Sequence, residues 1–162
     1  MNRLAALNAE LTLKAWATAA VAVLPEILKA QFGLTVTSGT RRVPAGSCWL
    51  ATVTLQGADV TGRVSVELPE GLAQCLSLQL LGTEHGYDDH LLADVTGELC
   101  NMVAGRIAAT SIPPVSILNA PVVHKTSPAS VAPSINGMRF ERGWTCETFD
   151  LSLALQVQEL VP

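Results

Sequence analysis

Two neighbouring segments that alternate apolar and polar residues constrain the fold more than any other part of the chain. Residues 48–55 are Cys-Trp-Leu-Ala-Thr-Val-Thr-Leu, and residues 62–68 are Gly-Arg-Val-Ser-Val-Glu-Leu. Alternation with period two puts apolar side chains on one face of a strand, and the short polar connection predicts a hairpin. One face of this hairpin is therefore expected to lie in a core.

Helices are predicted on both sides of this hairpin in the sequence. The alanine- and leucine-rich residues 2–32 predict one helix or two, because Pro25 cannot donate a hydrogen bond to the preceding turn and is able to restart a helix. Gly33 closes this region. Pro69 and Glu70 predict the start of another helix, with proline at its first position, that runs to Gly82.

The rest of the chain adds a third helix and several strands. The third helix is expected to begin near His90, with Asp88 or Asp89 as its N-cap, and to end around Ala109 before the Pro113-Pro114 pair. A short strand and loop are predicted over 34–43, a long exposed loop over 125–137, and further strands over 115–118, 121–124, 138–141 and 149–157. This order predicts one domain over residues 1–162, an α+β fold with helices packed on an antiparallel sheet.

The composition of the chain limits the kinds of partner that it can bind. Hydrophobic residues make up 49% of the chain and charged residues 15%, against about 25% charged residues in an average domain. Such low charge suggests that a second copy or a partner covers part of the surface. The formal net charge of −4 excludes a general nucleic-acid binder, which needs a basic face.

The sequence also favours a cytoplasmic protein without a membrane segment. The most apolar early stretch, 15–24, is expected to be too short to span a bilayer and is closed by Pro25. The four cysteines, none of which lies in a Cys-x-x-Cys pair, are expected to be reduced and mostly buried. They are Cys48, Cys75, Cys100 and Cys146.

The third predicted helix carries polar residues at a regular spacing. Asp94, Glu98 and Asn101 lie at i, i+4 and i+7, which at about 100° per residue places them within roughly 60° of one another. An apolar set points about 130° away by the same arithmetic and is expected to face inward. It consists of Leu92, Val95, Leu99, Met102 and Val103. The outward face therefore displays a carboxylate and a carboxamide one turn apart.

Two interpretations of this outward face are open. Most Glu and Asn residues on an amphipathic helix are simply solvated. Asn, however, is a mediocre helix former, and Gly97 and Gly105 beside the pair each cost about 1 kcal/mol relative to Ala. Together with Asp94, these glycines are expected to let another molecule dock closely.

The chemistry open to Glu98 and Asn101 is limited. A carboxamide donates and accepts hydrogen bonds at once and can orient a water molecule, whereas a carboxylate can pair with a lysine or arginine of a partner. Neither group is a suitable nucleophile, so the pair is expected to complete an active site located on another protein.

The loop over 84–90 is the second candidate site. Two histidines and three acidic residues within it, in the sequence Glu-His-Gly-Tyr-Asp-Asp-His, can bind a divalent metal ion. A polar loop that ends in a helix N-cap explains the same residues, and structural zinc sites usually combine thiolates at tighter spacing. No metal site is predicted on this chain.

The motif Asp94-x3-Glu98-x2-Asn101, with Asn-Met-Val-Ala-Gly at 101–105, resembles the CheX/CheC family of chemotaxis phosphatases. The surroundings are also similar: a leading helix, a hairpin, a helix that ends near Gly82, the motif helix and a Pro-Val-Val strand at Pro121. A single Glu-x-x-Asn site resembles CheX rather than CheC, which generally carries two.

The resemblance implies a CheC/CheX-like fold, a homodimer formed through edge strands, and action on phosphorylated response regulators of the CheY type. Asn101 is implied to hold a water molecule in line with the aspartyl phosphate, and Glu98 to contact the regulator's lysine. The Mg²⁺ ion is implied to belong to the regulator, so no cofactor is expected on this chain.

Alternatives remain at the level of the sequence. A domain of this kind that lacks catalytic activity would be either a module that binds receiver domains or a dimerisation domain in a signalling assembly.

Overall fold

Three helices and seven strands make up the part of the chain that the structure, a computed structural model, describes: residues 3–40, 42, 44, 46–82, 88–127 and 138–159. The helices are α1 (Arg3–Phe32), α2 (Glu70–Leu81) and α3 (Asp89–Thr110). The strands are β1 (Thr37–Gly39), β2 (Cys48–Gln56), β3 (Val60–Pro69), β4 (Ser116–Ile117), β5 (Val122–Thr126), β6 (Met138–Cys146) and β7 (Phe149–Glu159). The predicted α+β class and element order are confirmed.

All seven strands form one antiparallel sheet. Its order is β1-β6-β7-β3-β2-β4, and β5 also pairs with β2. The predicted hairpin is confirmed as β2 and β3, paired from Cys48 opposite Pro69 to Gln56 opposite Thr61. The alternating residues of both strands put one apolar face under the helices, which contact the sheet and one another.

Strands β6 and β5 extend beyond the ends predicted for them. β6 continues beyond residue 141 to Cys146, because pairing with β7 extends to the end of the β6–β7 turn. β5 includes Lys125 and Thr126, which were assigned to a loop but pair with Trp49 and Cys48. Most of the predicted loop, residues 128–137, lies outside the described residues. Sheet pairing therefore extends strands whose local polarity suggests a loop.

The first helix is continuous through Pro25. Gly33 follows it with φ 68° and donates its N–H to the Lys29 carbonyl at 3.1 Å, as the sequence predicted. One side of α1 is buried along its length at Trp16, Ala20, Leu24, Ile27, Leu28 and Phe32.

The prediction that the N-terminal apolar stretch is too short to span a membrane was wrong. Because α1 does not stop at Pro25, residues Ala6–Phe32 are long and apolar enough by length and composition alone. Core helices of soluble proteins pass the same test, and α1 packs against α3, β6 and β7. The buried side of α1 is consistent with a core helix.

Pro69 occupies a different position from the predicted one. It is the last residue of β3 and the N-cap of α2, with an extended ψ of 144°, rather than the first helical residue. Glu70 begins the helix, and its side chain accepts a hydrogen bond from the Ser47 hydroxyl. This arrangement connects β3 directly to α2 without a loop.

Candidate functional site

The third helix is anchored at its start and in its middle. The Asp88 carboxylate accepts a hydrogen bond from the Leu91 N–H at 2.8 Å, which confirms one of the two predicted N-caps. The Cys100 thiol lies 3.5 Å from the carbonyls of Ala51 in β2 and Val64 in β3. Burial raises the pKa of this thiol to about 12. Cys100 therefore points into the sheet, and the next residue, Asn101, is turned about 100° away from it.

The outward face of α3 carries the predicted polar residues. Asp94 and Glu98 are exposed and Asn101 is half-buried. None of these three side chains makes a hydrogen bond or ion pair within the described ranges of the chain. Four of the five apolar residues assigned to the inner face are buried, whereas Met102 is half-buried at its edge. The carboxylate and the carboxamide are thus available to an external molecule.

Strand β5 borders one side of this face, and here the role expected for Gly97 was wrong. Gly97 is buried, and a Cβ atom at this position would lie 3.1 Å from Val123 Cγ2 and 3.5 Å from Pro121 Cβ. The glycine lets β5 pack closely on α3. Its small size serves packing within the chain, so it does not open space for a partner.

Helix α1 borders the other side. An open groove of about 380 Å³ lies between α1 and α3 and is lined by Gly105, one helical turn beyond Asn101. Its lining comes from both helices: Glu26, Ile27, Ala30 and Gln31 of α1, with Met102, Gly105 and Arg106 of α3. A Cβ atom at Gly105 would meet nothing within 4 Å. Of the two glycines singled out in the sequence, only Gly105 leaves open space near the pair.

Lys125 in β5 forms ion pairs with acidic residues at the starts of α2 and α3. The sequence did not predict these contacts. Its ammonium group lies 3.3 Å from both Glu70 Oε1 in α2 and Asp89 Oδ1 in α3, and 5.4 Å from the centre of the Trp49 ring. The hydrogen bond to Asp89, supported by Glu70, raises the pKa of Lys125. The Ser47 hydroxyl and then Lys125 lower the pKa of Glu70. The sequence shows an acidic residue at the start of each of these helices. Lys125, which pairs with both, lies in a strand that is distant from them in the sequence.

The loop considered as a metal site is only partly described. Residues 83–87 lie outside the described residues, and Asp88, Asp89 and His90 are exposed. Over the described ranges there is no group of three or more His, Cys, Asp or Glu side chains that could hold a metal ion. The acidic residues at 88 and 89 act instead as an N-cap and as a partner of Lys125.

The different surroundings of the two glycines predict different effects of alanine. Gly105→Ala is expected to raise the free energy of unfolding by about 0.5–1 kcal/mol, because alanine lowers the entropy of the unfolded chain and meets open space here. Gly97→Ala is expected to gain less, since Val123 must move. Urea denaturation of both variants measures the difference, and an equal or larger gain for Gly97→Ala would contradict the packing described.

The fold and this face define a class of protein: an α+β domain that presents a carboxylate–carboxamide pair on the outward face of one helix. Residues 49–137, more than half of the chain, match the family model described as chemotaxis phosphatase CheX. The chain therefore belongs to the CheX family, as the motif predicted.

Solved structures are similar over most of their length. The chemotaxis protein CheX from Vibrio vulnificus matches with TM-score 0.75 at 18% identity, covering 88% of this chain and 96% of that one. A CheC-like superfamily protein from Shewanella sp. PV-4 gives TM-score 0.77 at 16% identity, covering 89% and 97%. The CheX–CheY–BeF3–Mg²⁺ complex from Borrelia burgdorferi gives 0.65 at 16%, covering 91% and 97%. These likenesses establish a CheX/CheC-like fold. No curated protein matches the sequence.

Proposed function

We propose that this chain is a phosphatase that hydrolyses the aspartyl phosphate of a CheY-type receiver domain. The observation that carries the proposal is the outward pair on α3. Glu98 is exposed, Asn101 is half-buried one turn away, and both lack a polar partner among the described residues. Membership of the CheX family and a similar fold in a CheX–CheY complex support a receiver domain as the partner.

Asn101 has the chemistry to act on water. Its carboxamide oxygen accepts a hydrogen bond from a water molecule while its amide N–H donates to a phosphoryl oxygen or to another acceptor. A water molecule held in line with the phosphorus–oxygen bond loses less entropy on reaching the transition state. In this proposal the water oxygen attacks phosphorus, the aspartate carboxylate leaves, and inorganic phosphate is released.

Glu98 has the chemistry to position the partner. An exposed carboxylate can form a charge-assisted hydrogen bond to a lysine of the receiver, and Asp94 extends the acidic strip on the same face. Gly105 opens the adjoining groove towards α1. We therefore propose Glu98, Asp94 and Gly105 as docking residues and Asn101 as the catalytic residue.

The remaining parts of the proposal concern the assembly. The Mg²⁺ ion is contributed by the receiver, whose acidic pocket this chain completes. The protein acts in the cytoplasm as a homodimer. Exposed apolar side chains at the sheet edge, Ile117 at 39% and Val122 at 60% exposure, support pairing of edge strands between two copies. Light scattering of the purified protein measures the dimer, and a monomer at all concentrations would contradict it.

A phosphate-release assay tests the activity. Receiver domains from the same genome are phosphorylated, and phosphate release is followed with and without this chain in the presence of Mg²⁺. The proposal predicts faster release for at least one receiver than its own spontaneous rate. Binding to the phosphorylated receiver without faster release would overturn the phosphatase and identify a binding module instead.

A further inference from the structure

Two cysteines from separate elements, Cys75 in α2 and Cys146 in β6, lie near the turn between β6 and β7. Cys146 and Phe149 are cross-strand neighbours at this turn. The Phe149 ring lies against α2, where a Cβ atom at Gly71 would be only 2.5 Å from Phe149 Cε1. Cys75 is one helical turn beyond Gly71 and shares its face of α2. The contact between ring and helix therefore brings Cys75 towards Cys146.

Both cysteines line one small cavity. Its volume is about 110 Å³, and Leu72, Gln79 and Glu147 also contribute to its wall. Both cysteines are free. Burial raises the pKa of Cys146, and the nearby Glu147 and Cys75 raise it further, as expected for thiols close enough to interact. The two cysteines, from α2 and β6, therefore face the same cavity.

The two thiols differ in access to solvent. Cys75 is half-buried, whereas Cys146 is buried at 1% exposure. Exposure favours attack by an oxidant on Cys75, and redox-sensing cysteines often lie next to a second cysteine that resolves the oxidised group. The other two cysteines, Cys48 and Cys100, are buried, and Cys100 is engaged with the carbonyls of β2 and β3.

We propose that Cys75 and Cys146 form a disulfide in response to a peroxide. The Cys75 thiolate attacks a peroxide oxygen, the O–O bond breaks, and a sulfenic acid forms with release of water or an alcohol. The Cys146 sulfur, after losing its proton, attacks the Cys75 sulfur, the S–O bond breaks, and the oxygen leaves as water. Two thiols lose two electrons and the peroxide gains them. The resulting bond links α2 to the β6–β7 hairpin.

Thiol counting on the full chain tests this site. Hydrogen peroxide is the probe, followed by alkylation of the unfolded protein and mass measurement. The reduced protein is expected to take up four alkyl groups, one for each free cysteine. The oxidised protein is expected to take up two, to regain the others after reduction with dithiothreitol, and to yield a peptide that joins residues 75 and 146.

Variants with a single cysteine replaced test whether Cys75 pairs with Cys146. Cys75→Ser and Cys146→Ser are each expected to abolish the loss of two thiols, and Cys146→Ser is expected to leave a sulfenic acid on Cys75 that dimedone traps. Cys48→Ser is the matched control and is expected to keep the disulfide. Loss of no thiol, a disulfide between other cysteines, or oxidation of Cys75 to sulfinic acid in the unaltered chain would each overturn the proposal. This site does not depend on the phosphatase activity.

Discussion

Asn101→Ala is expected to lower the rate of phosphate release from a phosphorylated receiver domain by about 100-fold or more, the usual effect of removing a group that acts in the transition state. The variant is expected to remain folded, because the Asn101 side chain has no hydrogen-bond partner in the described part of the chain and alanine favours a helix. Binding of the receiver is expected to persist. Rates at saturating receiver and binding titrations separate the two effects.

Glu98→Ala is the companion variant. Loss of a charge-assisted hydrogen bond is expected to weaken binding by about 10-fold or more, with a smaller effect on the rate at saturation. Asn8→Ala, which removes an exposed asparagine from α1, is the matched control and is expected to change neither quantity. Unchanged release by Asn101→Ala would show that the carboxamide does not act in hydrolysis.

Among the substitutions proposed for this chain, Trp16→Ala is expected to lower the free energy of unfolding most. The expected loss is about 3–5 kcal/mol, as is typical for truncation of a buried tryptophan. Trp16 is 1% exposed and packs against β3, where a Cβ atom at Gly62 would lie 2.5 Å from Trp16 Cζ3. Glycine at position 62 is therefore required for the ring to approach the strand. Urea denaturation of the purified variant measures the free energy of unfolding.

Leu11→Ala provides the comparison on the same helix. Leu11 is 55% exposed, so its truncation is expected to change stability by no more than about 0.5 kcal/mol. Equal effects of the two substitutions would mean that α1 does not pack on the sheet. The pair therefore distinguishes a core helix from an apolar segment that only happens to be long enough to cross a membrane.

Periodic patterns predicted the parts of the fold that depend on local sequence. The alternation in β2 and β3 and the stacked polar positions on α3 were sufficient to place these elements, because each has one face in the core. The Asp88 N-cap followed from residue type and position. The outward orientation of Glu98 followed from the same helical period.

The remaining features depend on contacts between distant segments. The extent of β6 is set by its pairing with β7, and the end of β5 by its pairing with β2. Gly97 has the sequence environment of an outward-facing glycine, but Val123 and Pro121 cover it. Likewise, nothing near Lys125 in the sequence indicates that it binds Glu70 and Asp89. A helical period predicts which way a side chain points but not which strand lies over it.

A crystal structure of this chain bound to a phosphorylated receiver domain, or to one carrying a stable phosphate analogue, is the most direct measurement. We expect Asn101 to lie within hydrogen-bond distance of the phosphoryl group or of a water molecule in line with it, and Glu98 to contact a receiver lysine. A complex in which the receiver binds elsewhere and both side chains of α3 still face solvent would contradict the proposed mechanism.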